Sequence, residues 1–300
     1  MAITNGPDGN LWFNEPFFKK IGKISPVSGV IVEYNVSGYL DNLDGITAGP
    51  DGNIWFTEEE YGGRLGIIGK ISPATGVLTE YSVPTNYAPN SIAAGPDGNL
   101  WFNTSGEYKL GNINPSTNVL TLYSFPGVSS APSCMTTGPD GNLWFTESGG
   151  SKIGKISLKA GTVTEYVVPT ANGQLGKIVT GPDGNLWFIE DSGKIGKISP
   201  ETGFITEYNV PAVEASWNGI TAGLDGNLWF TESTQFSLTK KIGNISPATG
   251  IITEYDVPVS GQLNGITAGP DGNLWFVDGG PGQIDNISPA TGVIHRYRLP

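Results

Sequence analysis

The sequence predicts an all-β chain folded as a single seven-bladed β-propeller, and three observations carry that expectation. The motif Gly-Pro-Asp-Gly-Asn-Leu-Trp-Phe recurs, with its tryptophan at Trp12, Trp55, Trp101, Trp144, Trp187, Trp229 and Trp275. The steps between these tryptophans run from 42 to 46 residues. A period of that size, enough for four short strands, is the period of a propeller blade. The composition agrees: 44 Gly and 22 Pro beside 8 Trp, with only 15% charged residues, describe short strands joined by tight turns.

Blade 2 shows how each element follows. Residues 46–49 form the inner strand A, and Pro50-Asp51-Gly52-Asn53 is a hairpin turn in which Asp-Gly supplies the unusual backbone angles. Residues 54–58 form strand B, apolar on both faces because blades pack on either side. Residues 68–72 form strand C, Pro73-Ala74-Thr75-Gly76 turns the chain, and residues 77–83 form strand D. Pro84 ends it, since proline cannot donate to a ladder. Strand D alternates, with Val77, Thr79, Tyr81 and Val83 on one face and Leu78, Glu80 and Ser82 on the other, as an outer strand should. The glutamate recurs as Glu33, Glu80, Glu165, Glu207 and Glu254 and is read as a solvated girdle. Strand C carries a glycine at its middle, as at Gly22 and Gly196, and the neighbouring blade's tryptophan is expected to lie over it.

The same pattern divides residues 1–300 into blades at about 2–37, 45–84, 91–126, 134–169, 177–211, 219–258 and 265–300. The chain starts on strand A of one blade and ends on strand D of another. Ring closure is therefore expected from face packing, without a shared strand.

A formal net charge of −12 repels phosphate backbones and anionic lipid, which sets aside nucleic acid and membranes as partners. It favours cationic or neutral ligands. The single cysteine, Cys134, excludes an intramolecular disulfide and a cysteine-rich metal site, and reads as a buried inert thiol. No stretch approaches the roughly 20 apolar residues of a membrane-spanning helix. The chain opens inside a repeat, so no leader peptide is expected on it. The Asn/Thr/Gly-rich, lysine-poor composition leans towards an extracytoplasmic setting, and a monomer is expected.

In this topology the loops joining D to A and B to C emerge on one face, around one mouth of the channel. Glu15, Glu58, Glu147, Glu190, Glu232 and Asp278 end strand B there, with Thr104 breaking the series. Six carboxylates around a mouth are oxygen donors of the kind that hold Mg²⁺ or Ca²⁺; the same carboxylates could instead accept loop N–H bonds. The B–C loops of blades 2 and 6, residues 59–67 and 233–241, are the longest, and departures from a regular repeat are where function is usually placed. Trp217, the tryptophan outside the motif, lies in a D–A loop. Phe17, Phe18, Tyr39, Tyr61, Tyr87, Tyr108 and Phe236 fall in loops of the same face. Aromatics beside carboxylates suit stacking on sugar rings or holding cations.

Gly-Ile-Thr-Ala-Gly-Pro-Asp-Gly-Asn-Leu-Trp-Phe-Thr-Glu, followed by Lys-Ile-Gly-Lys-Ile-Ser-Pro-Ala-Thr-Gly and Ile-Thr-Glu-Tyr-Asp-Val-Pro, resembles the virginiamycin B lyase (streptogramin lyase) family along the whole chain. The NHL and gluconolactonase-like propellers are more distant resemblances. The resemblance implies a Mg²⁺-dependent elimination that opens an ester-closed cyclic peptide, with a histidine base just before the Gly-Ile of an inner strand. It implies a metal-binding glutamate fourteen residues later. At those spacings this chain has Asn264 with Asp278 in blade 7 and Asn218 with Glu232 in blade 6. The other blades put Asp44, Asn90, Ser133, Gly176 and Met1 at the first position. No blade puts a histidine there, and the single histidine, His295, falls on an outer strand D. Asp44 is the one carboxylate at the position of the base.

The residues therefore point first to a non-catalytic propeller that binds a small polar ligand, a peptide or a glycan at the mouth. Trp217, Asn218, Asn264, Asn90, Tyr39, Tyr61 and Tyr87 are the candidate contacts, and no cofactor is required. Two alternatives stay open: a Mg²⁺- or Ca²⁺-dependent lyase or lactonase working through carboxylates, and a structural or engineered repeat scaffold without a small-molecule site.

Overall fold

The computed structural model describes residues 1–36, 42–59, 66–84, 88–104, 109–124, 130–170, 174–211, 215–234, 240–258, 261–279 and 282–300, and the side chains of all of these except 148, 215–217 and 234. Among them lie seven antiparallel sheets of four strands, each sheet built from one continuous stretch of chain in the order A-B-C-D. A 3-10 turn at Pro16–Phe18 interrupts the β structure. Among the described residues no helix is long and apolar enough to cross a membrane.

The hairpin motif works as a unit. Each motif aspartate accepts the indole N–H of the tryptophan four residues on, at 2.9–3.1 Å, from Asp8–Trp12 through Asp271–Trp275. It also accepts the backbone N–H of the asparagine two residues on, as Asp51 does from Asn53 at 3.2 Å. Burial alone would raise the Asp51 pKa, but the bonds from Trp55 and Asn53 and the nearby Lys70 outweigh it and hold the carboxyl below its ordinary value. The indole stacks on the strand D tyrosine of its own blade, with ring centroids 5.1–6.0 Å apart.

The other side of the indole faces the next blade. Trp12 and Ile21 of blade 1 pack on Leu43, Ile46, Ile54, Phe56 and Ile71 of blade 2, and equivalent clusters fill the remaining gaps. The glycine in strand C has a different neighbour from the one expected. A Cβ at Gly22 would lie 2.2 Å from the ring of Phe13, and one at Gly196 would lie 2.1 Å from Phe188. The residue over the glycine is thus the phenylalanine directly opposite on strand B of the same blade, because Trp and Phe alternate to opposite faces. In blade 7 this strand C position holds Asp285, opposite Phe276.

Closure follows the expected plan. Trp275, Val277 and Ile284 of blade 7 pack on Ile3, Leu11, Phe13 and Ile24 of blade 1, and no strand is exchanged. The turn at Gly29, which has φ +69°, lies under the Tyr297 ring. The Gly265 N–H donates to the Met1 carbonyl at 3.3 Å.

Strand A is longer than expected, Asn42–Ala48 in blade 2. It passes through a β-bulge between Leu43 and Ile46, so that Asp44 and Gly45 have no ladder partner. The same irregularity recurs in blades 3 to 7. Bulges re-aim side chains, and here they turn one short row of residues towards the ring axis.

Candidate functional site

The bulges are held by a polar residue in the middle of strand B. Thr57 Oγ1 accepts the Gly45 N–H of its own bulge at 2.8 Å and donates to the Asn90 carbonyl of the next at 2.5 Å. Asn14 links Ala2 to Asp44 in the same way, Asn103 links Ser91 to Pro132, and Thr146 links Cys134 to Gly176. Thr231 donates to the Asn264 carbonyl at 2.9 Å. Ile189 and Val277 stand at this position in blades 5 and 7, so the chain of bonds around the axis is interrupted twice. Glycine in the bulge has a steric reason as well: a Cβ at Gly45 would come within 2.8 Å of the Asn90 carbonyl oxygen.

The described residues line a channel cavity and a mouth cavity on this face. The channel cavity, of about 220 Å³, is lined by the bulge row, including Asp44, Asn90, Cys134, Lys177 and Asn218. The mouth cavity, of about 430 Å³, is lined by Pro16, Phe17, Asn42, Gln262 and Asn264. Two of the candidate contacts, Asn90 and Asn218, thus share the channel with Asp44, while Asn264 lines the mouth with Phe17, which is 91% exposed. Asn218 donates to the Leu263 carbonyl at 2.8 Å, and burial together with Glu59 raises the Asp44 pKa. Trp217 lies on strand A of blade 6, Ala215–Ala222, its backbone opposite Glu232; its side chain is outside the described residues. Tyr39, Tyr61, Tyr87, Tyr108 and Phe236, with most of the two longest loops, also lie outside them. Cys134 is half-buried and not fully buried, because the bulge exposes it to the channel, and burial still raises its thiol pKa.

The acids that end strand B are turned into their own blades. Glu15, Glu58, Glu147, Glu190, Glu232 and Asp278 are at most 2% exposed. The first five each face a strand D glutamate: Glu33, Glu80, Glu165, Glu207 and Glu254 respectively. That girdle is accordingly not solvated. In blade 5, Lys194 binds Glu207 at 2.9 Å, and against the raising effect of burial the bonds from Lys194 and Thr170 keep Glu207 below its ordinary pKa. Its partner Glu190 is pushed up to about 7 by burial and by the Glu207 charge. Burial likewise lifts Glu15 to about 7, and Glu58 and Glu232 to about 8. The blade 5 pair therefore joins a carboxyl held below its ordinary pKa to one that keeps its proton to near neutrality. Two further groups escape a reading of the sequence. Asp285 is fully buried, with no hydrogen bond to either oxygen and Arg296 Nε at 3.6 Å. Lys177 stands in the bulge row where other blades have small residues.

The virginiamycin B lyase family model matches residues 1–200 and 88–300, which together span the chain. The chain belongs to the virginiamycin B lyase family. Among solved structures, a streptogramin B lyase is 34% identical, with 92% of this chain and 89% of that one covered and a TM-score of 0.81. A catalytically inactive histidine-to-alanine variant of virginiamycin B lyase from Staphylococcus aureus, with quinupristin, is 33% identical, covers 92% of this chain and 90% of that one, and has a TM-score of 0.81. The hydrazine synthase of Kuenenia stuttgartiensis, at 17% identity with 85% and 79% covered and a TM-score of 0.71, shares the fold. No curated protein sequence matches the chain significantly.

The residue before the Gly-Ile of strand A is Asn218 in blade 6, Asn264 in blade 7 and Asp44 in blade 2. His295 is exposed on the outermost strand of blade 7, paired with Asn286. The strand B acids offer pairs of carboxyls, each pair enclosed in its own blade, and among the described residues no three acids, histidines or cysteines converge on one point as a shared cation cage would need. Among the described residues this donor arrangement does not fit a Mg²⁺ ion.

Proposed function

We propose that this member of the virginiamycin B lyase family binds a small polar ligand, a peptide or a glycan at the channel mouth and does not carry out the family's elimination. The observation that carries the reading is that the position preceding Gly-Ile holds no histidine in any blade, while the single histidine lies exposed on an outer strand. Histidine general-base catalysis contributes about 10²–10⁴-fold, and the carboxamides of Asn218 and Asn264 cannot take up a proton at neutral pH. They can donate and accept hydrogen bonds, and beside the exposed Phe17 they suit a ligand with both polar and apolar faces. The net charge of −12 favours a neutral or cationic one.

The test uses quinupristin, the compound bound by the inactive relative. Calorimetry should register binding, and chromatography with fragment masses should find the depsipeptide ring closed after prolonged incubation. Catalytic accumulation of a ring-opened product would overturn the reading. One observation favours a second reading, a lyase with a carboxylate base: Asp44 occupies the base position in blade 2 with a raised pKa and lines the channel. In that case turnover would appear and be lost in Asp44→Asn.

A further inference from the structure

Of the six bulges, five have Gly, Ser or Cys as their second residue, and the one in blade 5 has Lys177. Small neighbours leave open space around one amine, and that space is the channel cavity of about 220 Å³. Eight other lysines have a defined partner: Lys20, Lys152, Lys194 and Lys241 bind glutamates, and Lys23, Lys70, Lys155 and Lys197 sit over tryptophans. Lys177 makes no hydrogen bond or ion pair among the described residues. Removal from water lowers its pKa, against a weaker raising effect of Cys134. A desolvated, unpaired lysine amine is the kind of nucleophile that adds to carbonyl carbon. The acid that lines the same cavity is Asp44. A cavity of about 150 Å³ holds benzene, so this one takes a ligand somewhat larger than that. Met1 lines it as well, its terminal ammonium in the field of Asp44, and in a chain of net charge −12 an anion is disfavoured against a neutral molecule.

We propose that the channel is a site for covalent capture of a small neutral aldehyde, held as an imine on the side-chain nitrogen of Lys177. The amine lone pair forms the C–N bond while the carbonyl π pair moves to oxygen. A proton leaves nitrogen, and the resulting hydroxyl departs as water after receiving a proton from the Asp44 carboxyl. Loss of the second nitrogen proton completes the C=N bond and restores that carboxyl. The sum is aldehyde plus amine giving imine plus one water. The site is distinct from the mouth cavity and stands whether or not quinupristin binds there.

Trapping with benzaldehyde and cyanoborohydride at neutral pH, followed by peptide mapping, tests it. A lysine whose pKa is lowered by burial carries more free amine at neutral pH, so label should reach Lys177 several-fold faster than any other lysine. It should vanish from the channel peptide in Lys177→Met, with circular dichroism confirming that the variant is folded. Asp44→Asn should slow labelling of Lys177 and leave labelling of surface lysines unchanged. Label spread evenly over the lysines would overturn the proposal, as would an equal rate in Asp44→Asn for the part given to that acid.

Discussion

Two surfaces of strands A to C differ in how they use the repeat. Within the blades, on the faces that pack together, the same contacts recur: indole on tyrosine, phenylalanine over glycine, aspartate on indole N–H. Around the axis, a few residues away, the bulge row changes from blade to blade, through Asp44, Asn90, Cys134, Lys177 and Asn218. The packing surface is interchangeable because each blade must fit the next. The bulge row is free to vary because its side chains face open space and its backbone is secured from strand B. Residues repeated around the ring therefore govern stability, and residues that vary govern what the ring can hold.

The largest test of that division is acidity, because the paired carboxyls belong to the repeated surface. Glu15, Glu58, Glu190 and Glu232 have folded pKa values raised to about 7 or 8 by burial and a second glutamate. In the unfolded chain they ionise near the ordinary glutamate value. Between these limits the folded state binds more protons, so stability falls as pH rises from about 5 to 8. At roughly 1 kcal/mol for each carboxyl, the melting temperature should be about 8 °C lower at pH 8 than at pH 5. A flat profile by differential scanning calorimetry would remove the pairs from the account.

Gly196→Val comes next. Its new side chain meets Phe188 inside a closed interface and should cost roughly 3 kcal/mol by overpacking, read from chemical denaturation. Thr146→Val should cost about 2 kcal/mol, since it leaves the Cys134 N–H and the Gly176 carbonyl without their side-chain partner. Asp285→Gly restores the repeat at a fully buried carboxyl with no hydrogen bond and should raise stability by about 1 kcal/mol. Asn264→Ala sits at the mouth and should leave the melting temperature within about 1 °C while weakening quinupristin binding. A stability loss as large as that of Thr146→Val would erase the distinction between the two surfaces.

The blade count, the four-strand unit and closure without a shared strand were legible because each rests on spacing, which the repeat displays directly. The Asp-Gly-Asn turn was legible for the same reason. Phe13 over Gly22 was not, since deciding which of two adjacent aromatics faces a glycine requires the pairing register. The strand B acids were placed at the right strand end, but their direction depended on a partner on strand D 17 to 22 residues later, which alternation alone assigned to solvent. The bulge left one trace, the glycine before the strand A isoleucine. Lys177 was missed, because only the bulge shows that a large residue at that place points at the axis.

Since each sheet is one uninterrupted segment, most pairings that define a blade join residues close along the chain and can form early. Side-chain packing and a few hydrogen bonds hold blade 1 to blade 7. Folding should then end with a toroid snapping shut at its slowest-forming joint, and amide exchange ought to be fastest where that joint can breathe.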